Sequence, residues 1–220
     1  KLCRPFYKTE FPRALLNSLM IAFLTTVCCL LISILGSYAM TRLKYPGRRF
    51  FKTSIIFSYL IPTAVLFVPM YVFVSKLGFY DNKWALLIIY PTTVVPYCCY
   101  MLMSYFKAIP YALEEAALID GCTRMKSLRY IITPIALPGI AVVATFAFTM
   151  SWNEYLYAMI MTTSPAQQTA VVAISSFKYA DSAIWGRIMA ASVLTSLPVT
   201  IIYIVAQAQL ISGKSDGSVK

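Results

Sequence analysis

Five long apolar segments divide the chain, and a shorter, more polar stretch separates each from the next. They cover residues 14–40, 53–74, 84–106, 138–161 and 188–206. Each holds about the 20 residues that a helix needs to cross roughly 30 Å of hydrocarbon. The runs are continuous and lack the alternation of a barrel strand. The pattern therefore predicts an all-α membrane protein, a polytopic bundle of transmembrane helices.

Basic residues between the apolar segments predict the orientation of the bundle. Lys and Arg number 19 against 8 Asp and Glu, a net charge of +11. Dense basic clusters beside a span usually lie on the cytoplasmic side. A cluster after the first segment therefore places 107–130 and the C-terminal tail in the cytoplasm, and 162–187 outside. The cluster consists of Arg42, Lys44, Arg48, Arg49 and Lys52.

Five spans and a cytoplasmic C-terminus leave the start of the chain outside the cell. Residues 1–13 are polar and contain no apolar core of a signal sequence. We therefore expect a further span upstream of residue 1, which gives six in the full-length protein. Residues 1–220 are predicted to form a single transmembrane domain in a bacterial or archaeal cytoplasmic membrane.

Composition narrows the chemistry that the chain can perform. Hydrophobic residues make up 60% of it, charged residues only 12%, and histidine is absent. A charge of +11 in a soluble protein would suggest nucleic acid, but here the basic residues flank apolar spans, so we expect a lipid bilayer and no nucleic acid. The six cysteines include two adjacent pairs within apolar runs and no C-x-x-C spacing. We expect them to fill a membrane core, with no metal bound.

Prolines recur inside the predicted spans, at Pro62, Pro69, Pro91, Pro96 and Pro198. A proline removes one backbone hydrogen bond and kinks a helix, and neighbouring helices in a membrane can satisfy the freed carbonyl. Two interpretations stay open, namely static kinks that aid packing and hinges in a bundle that changes shape.

The cytoplasmic stretch 107–134 has the signals of two short helices joined at a glycine. Pro110 begins the first, Gly121 suits the left-handed position after its end, and Thr123 caps a second helix that stops before Pro134. Asp120 lies at a helix C-terminus, where negative charge is unfavourable. We expect a basic partner for it, either Arg124 or Lys126 or a residue of another protein.

This stretch resembles the EAA loop of permease subunits of binding-protein-dependent ABC importers. That family's pattern is E-A-A, three residues, G, nine residues and I-x-L-P. The chain matches it except that Thr133 replaces the usual leucine, and Leu128 stands where phenylalanine is common. The similarity extends to the MalG-like carbohydrate branch through further short matches along the chain. The residues that match the EAA pattern are Glu115-Ala116-Ala117, Gly121, Ile131 and Pro134. Those that match the MalG-like branch are Asn17-Ser18-Leu19, Ser37-Tyr38-Ala39 with Arg42, Ile61-Pro62 and Trp152-Asn153-Glu154.

The resemblance implies a type I importer permease that forms the path for a carbohydrate delivered by an extracytoplasmic solute-binding protein. It implies a second permease subunit, usually not identical, and two cytoplasmic ATPase subunits. Mg-ATP would bind to the ATPase, and this chain would hold no cofactor and no catalytic residue. The EAA helix would be the coupling helix that docks on the ATPase. Its coupling residues would be Glu114, Glu115, Ala116, Ala117, Asp120 and Gly121.

A second candidate site lies at the end of the fourth apolar segment. Acidic residues inside a span are rare and indicate function, and Glu154 is one. Trp152, Asn153, Glu154 and Tyr155 together supply the stacking faces and hydrogen-bonding groups that a sugar needs. The alternative is that Glu154 pairs with Arg187 or meets water.

Two other functions remain to be weighed, namely an ABC importer permease for a non-sugar solute and a membrane-embedded lipid-modifying enzyme. The enzyme would need clustered acids or a nucleophile with a base, whereas the eight acids are scattered. The segment around Gly213-Lys214-Ser215 is no phosphate-binding loop, because alanine occupies position 208, where that motif needs its first glycine.

Overall fold

The structure is a computed structural model that describes residues 10–177 and 185–215, with side chains as far as residue 207. All regular secondary structure within these residues is helical. The helices are α1 Phe11–Arg42, α2 Arg48–Leu60, α3 Thr63–Lys76, α4 Leu86–Ala108 after a 3₁₀ turn Lys83–Ala85, α5 Tyr111–Ile119, α6 Arg124–Ile135, α7 Leu137–Asn153, α8 Leu156–Met161, α9 Ala170–Ser176 and α10 Trp185–Ser215.

Three stretches of helix are long and apolar enough to cross a membrane without interruption, namely Phe11–Arg42, Lys83–Ala108 and Trp185–Gln207. They contain the predicted segments 14–40, 84–106 and 188–206. Two bent pairs, α2 with α3 and α6 with α7, bring the number of spans among the described residues to five if each pair counts as one. The fold is therefore all-α and polytopic, as the apolar pattern predicts.

The predicted span 53–74 is two helices and not one. α2 begins at Arg48 and ends at Leu60, and α3 starts after Pro62 at an angle of 98° to it. Pro62 lacks an N–H group and disfavours the helical conformation of the residue before it, and Ile61 is accordingly extended. The proline therefore ends a helix here, which is more than the kink that a proline usually makes inside a span.

The predicted span 138–161 is also interrupted. α7 ends at Asn153, Glu154 is extended, and α8 begins at Leu156.

The predicted end of the second EAA-loop helix is wrong. This helix, α6, does not stop before Pro134 but continues to Ile135 through a π turn at Leu128–Ile132. Pro134 lies in the first turn after the π turn, where a missing N–H costs little. α6 and α7 then meet at 82°.

The core forms where α1 packs along α4 and α7. Small polar and sulfur-containing side chains let these helices approach closely, as is usual between helices in lipid. The Ser37 hydroxyl donates to the Cys99 carbonyl of α4 at 3.0 Å. Cys29, Cys98 and Cys99 are buried free thiols, which agrees with their predicted role as core filler.

Gly139 marks the closest approach of α7 to α4. A Cβ atom added there would lie 2.4 to 2.7 Å from three ring atoms of Tyr105, far inside van der Waals contact. These atoms belong to the base of the ring, so the Tyr105 side chain would have to leave its rotamer, or α4 would have to move. A side chain at position 139 therefore overpacks this helix crossing.

We therefore expect Gly139→Ala to destabilise the protein by about 1–3 kcal/mol, the usual cost of overpacking a core. Thermal unfolding of the purified protein in detergent measures the change. Gly186→Ala is the matched control, because no heavy atom lies within 4 Å of a Cβ at that helical glycine. Equal melting temperatures for the two variants would contradict the close approach of α4 and α7.

Candidate functional site

The EAA loop folds as a short helix with a defined end. Pro110 precedes α5 in an extended conformation, so it caps the helix and is not its first residue. At the other end, the Cys122 N–H donates to the Ala117 carbonyl at 2.9 Å and the Gly121 N–H to the Leu118 carbonyl at 3.2 Å. These two bonds form a Schellman motif, which needs a left-handed residue, and Gly121 has φ +85°. The glycine fixes the direction in which the chain leaves α5.

α5 has an outward face and an inward face. The inward face consists of Glu114, 4% exposed, and Ala117, 5% exposed, and no other residue of α5 is buried. The outward face and the turn after it hold the rest of the predicted coupling residues. Three large hydrophobic side chains are also exposed on α5, namely Tyr111, Leu113 and Ile119, of which Ile119 is the most exposed at 86%. The exposed coupling residues are Glu115, Ala116, Asp120 and Gly121.

A cluster of charged and aromatic side chains lies beneath the inward face. The Tyr38 hydroxyl donates to Glu114 Oε1 at 2.6 Å. Arg42 Nε lies 3.8 Å from Glu114 Oε2, and Arg124 Nη1 lies 3.6 Å from Oε1. Arg124 was one of the basic partners predicted for Asp120. Its side chain pairs with Glu114 instead, so that prediction is wrong.

Arg42 and Tyr111 complete this cluster. Arg42 Nη2 donates to the carbonyls of Phe106 at 2.5 Å and Ile109 at 2.6 Å, where α4 ends. Its guanidinium lies 4.2 Å from the centre of the Tyr111 ring, and the Tyr111 hydroxyl donates to the Thr41 carbonyl at 2.5 Å. Sequence reasoning placed Arg42 in the basic cluster and among the family matches, but assigned it no partner. A basic residue directly at the end of an apolar run is the signal that it also has a structural role.

The second candidate site coincides with the break between α7 and α8. The Glu154 carboxylate accepts from the N–H groups of Tyr157 at 3.0 Å and Ala158 at 3.1 Å, so it caps α8. Trp152 is buried, and its Nε1 donates to the Thr195 carbonyl at 3.2 Å. Asn153 and Tyr155 are exposed. These two are therefore the residues of the group whose side chains the rest of the described chain leaves exposed.

The opposite end of α1 carries a polar network that sequence reasoning missed. The buried Asn17 side chain donates to the carbonyls of Ala166 at 3.1 Å and Gln168 at 3.0 Å, and accepts from Lys83 Nζ at 2.7 Å. These bonds fix the backbone between α8 and α9 against the start of α1. The resemblance singles out Asn17, but nothing in the sequence alone reveals its distant partners.

Asp81 makes a second tie to the same loop. The Ser164 hydroxyl and N–H both donate to its carboxylate, the N–H at 2.8 Å. These hydrogen bonds to the ionised form hold the pKa of Asp81 below its ordinary value of 3.8. The loop between α8 and α9 is thus tied to the turn after α3.

The described residues contain no group of three His, Cys, Asp or Glu side chains close enough to hold a metal ion. The two acids that the structure buries wholly or partly beside the candidate sites have structural partners instead. Glu154 caps a helix and Glu114 belongs to the cluster beneath α5.

Comparison with known proteins identifies the class. Residues 32–214 match the model of the binding-protein-dependent transport system inner membrane component. The chain belongs to this family, the permease subunits of ABC importers. Membership implies a membrane location, and it implies an ATPase and an extracytoplasmic binding protein as partners. Members are transport subunits, and separate subunits hydrolyse ATP.

Curated relatives cover most of the chain. The inner membrane ABC transporter permease protein YcjP of Escherichia coli is 37% identical over 93% of this chain and 73% of its own length. The sulfoquinovosyl glycerol transport system permease protein SmoH of Agrobacterium fabrum is 35% identical over 94% and 72%. The trehalose/maltose transport system permease protein MalG of Thermococcus litoralis is 34% identical over 96% and 76%.

Solved structures share the fold. A chain of a bacterial ABC transporter involved in the import of the acidic polysaccharide alginate aligns with a TM-score of 0.82 at 22% identity, over 94% of this chain and 78% of that one. The inward-facing MetNI methionine ABC transporter aligns with a TM-score of 0.74 at 18% identity, over 96% and 98%. The helix bundle, with its bent pairs, is therefore an ABC importer permease fold.

The tie through Asp81 predicts a pH dependence of stability. Because the folded pKa is lowered, the stabilising contribution is complete above the ordinary pKa of 3.8 and is lost as pH falls through the lower folded value. We expect Asp81→Asn to melt a few degrees below wild type at neutral pH, and the difference to shrink as pH falls below about 4. Thermal unfolding across this pH range in lipid nanodiscs measures it.

Asp120→Asn is the control for this experiment, because it removes an exposed carboxylate that does not bond to Ser164. If the melting temperatures of both variants approach that of wild type in the same way at low pH, the bonds of Asp81 to Ser164 are not the cause of the pH dependence.

Proposed function

We propose that the chain is the permease subunit of an ATP-driven carbohydrate importer, with α5 as the helix that docks on the ATPase. The orientation of α5 is the observation that carries the docking role. Its exposed face presents small residues beside acidic ones, while its buried face is fixed to the bundle. Small side chains such as Ala116 let the groove of a partner approach the helix backbone closely.

The carbohydrate class rests on the relatives. Those that name a solute transport trehalose, maltose, diacetylchitobiose or sulfoquinovosyl glycerol. Each of these solutes presents many hydroxyl groups, which exposed amide and phenol side chains such as Asn153 and Tyr155 are suited to bind. We propose that these two residues contact the solute.

The complete assembly would contain a second permease subunit, not identical to this one, and two ATPase subunits that bind Mg-ATP. In this arrangement α5, the basic cluster at 42–52 and the C-terminus lie in the cytoplasm. The loop between α8 and α9, together with Asn17 and Asp81, faces the solute-binding protein. Closure of the ATPase dimer would move α5 and rock the bundle between two states.

The substrate class is tested by reconstituting the complex with its binding protein and measuring ATP hydrolysis across a panel of carbohydrates and amino acids. We expect only carbohydrates to stimulate hydrolysis, and Asn153→Ala to raise the apparent KM for the active one. Stimulation by an amino acid and by no carbohydrate would assign the chain to another solute class.

The docking role predicts the effect of a change at Gly121. Gly121→Val forces a β-branched residue into φ +85° and strains the turn by at least about 1–2 kcal/mol, which re-aims the end of α5. We expect solute uptake to fall about 5- to 30-fold, which is the factor that 1–2 kcal/mol represents. Solute binding to the separate binding protein should be unchanged.

Gly78→Val is the matched control. Gly78 has nearly the same φ, +84°, and an added Cβ there meets nothing within 4 Å, as at Gly121. Its turn lies after α3, away from the EAA loop. Binding of the solute-binding protein to the complex is measured for both variants, because the turn of Gly78 also contains Asp81. Equal losses of uptake with that binding unchanged would mean that general strain, and not docking, explains the effect.

A further inference from the structure

The two adjacent glutamates of the EAA loop have opposite orientations. Glu115 is exposed on the outward face of α5, whereas Glu114 is buried beneath it. We propose that Glu114 and Arg42 form a buried ionic anchor that transmits the movement of α5 to α1 and α4, and that Glu115 alone of the two meets the ATPase. The inference rests on the proposed docking role of α5. It makes Glu114 and Arg42 positioning residues and not docking residues.

Arg42 connects three helices with one side chain. It is the last residue of α1, it donates two hydrogen bonds to the carbonyls that end α4, and it pairs with Glu114 on α5. The guanidinium is planar and carries five donors in a fixed geometry, so it can serve several acceptors at once. A displacement of Glu114 therefore acts on the ends of both α1 and α4.

Glu114 makes the matching connections from its side. Its carboxylate accepts from Tyr38 of α1 and lies 3.6 Å from Arg124 at the start of α6. The Tyr38 hydroxyl also reaches the Arg124 carbonyl at 3.4 Å. Glu114 is thus the point at which α5 contacts both the first helix and the helix that follows the EAA turn.

Apolar packing does little to hold α5 in place. Ala117 is the only buried residue of this helix besides Glu114. A force applied to α5 by a docked partner therefore reaches α1 through the polar anchor and through the Tyr111 hydroxyl on the Thr41 carbonyl. It reaches α4 through the anchor and through the two residues that link α4 to α5. Without the anchor, the first of these connections to each helix is lost.

The geometry of the pair argues against a purely stabilising role. Among the described residues, Arg42 Nε, Arg42 Nη1 and Glu114 Oε2 have no hydrogen-bond partner, although all three atoms are buried. A buried ion pair with unsatisfied atoms is generally no more stabilising than well-packed apolar residues. Its distinctive property is that each charge holds the other in position, because separating them leaves a buried charge unpaired.

The test compares variants in the complete complex of permease, ATPase and binding protein. The variants are Glu114→Gln, Tyr38→Phe and the double variant Arg42→Met with Glu114→Gln, and Glu115→Gln is the matched control. Two quantities are measured, namely the amount of ATPase that copurifies with the permease and the solute transported per ATP hydrolysed. Melting temperatures of all variants are recorded alongside.

We expect Glu114→Gln to retain the ATPase but to transport at least about tenfold less solute per ATP, because a hydrogen-bonded charge is lost. Tyr38→Phe removes one donor at nearly constant volume and should lower the ratio less. The double variant leaves no unpaired charge, but it also loses the two hydrogen bonds to the carbonyls of Phe106 and Ile109, so it should melt below wild type and still transport poorly. Glu115→Gln should instead reduce the ATPase that copurifies and leave the ratio unchanged.

Wild-type solute per ATP in Glu114→Gln, or in a double variant that folds, would overturn the anchor. If Glu114→Gln does not fold, the result for Tyr38→Phe decides, and a wild-type ratio there overturns the inference equally. If no ATPase copurifies even with the wild-type permease, the docking role of α5 fails, and this outcome is distinct from failure of the anchor alone.

Discussion

A helix that is interrupted inside a bilayer must satisfy the backbone groups that the interruption frees, because lipid offers them no partner. The same kind of pairing is found at three helix ends of this chain, where charged side chains bind backbone groups. Arg48 donates to three carbonyls near the end of α1, Arg42 to two at the end of α4, and Glu154 accepts from two N–H groups at the start of α8. The polar residues of the bundle therefore mark where its helices begin and end.

Polar side chains at the two ends of α1 bind parts of the chain that lie at opposite ends of the bundle. α1 contains 32 residues and is about 48 Å long at 1.5 Å per residue. Near its start, Asn17 fixes the loop between α8 and α9, and at its end Arg42 lies under α5. α1 is therefore the element that connects the loop between α8 and α9 with the EAA loop, and a displacement of one end of this helix also displaces the other.

The lengths of the apolar segments and the EAA motif predicted the membrane fold, the family and the short helix before Gly121. The breaks were harder to predict, because a proline or an acidic residue inside an apolar run is also compatible with a continuous helix. Glu154 was noticed as an acid within an apolar run, but its function as a cap depends on α8 starting two residues later. The opposite orientations of Glu114 and Glu115 likewise depend on Tyr38 and Arg42, more than 70 residues earlier in the chain.

The prolines can now be divided between the two interpretations that the sequence left open. Pro91 and Pro96 lie inside the continuous helix α4, where the hydroxyls of Thr92 and Thr93 bond the carbonyls of Ile89 and Tyr90. Neither proline interrupts that helix. Pro62 instead separates two helices, and the start of α3 is held to α8 by the Tyr157 hydroxyl on the Thr63 carbonyl at 3.2 Å and by the contact of Tyr157 with Phe67. No helical hydrogen bond crosses the extended residue Ile61, so of these three prolines Pro62 is the one to which the hinge interpretation applies.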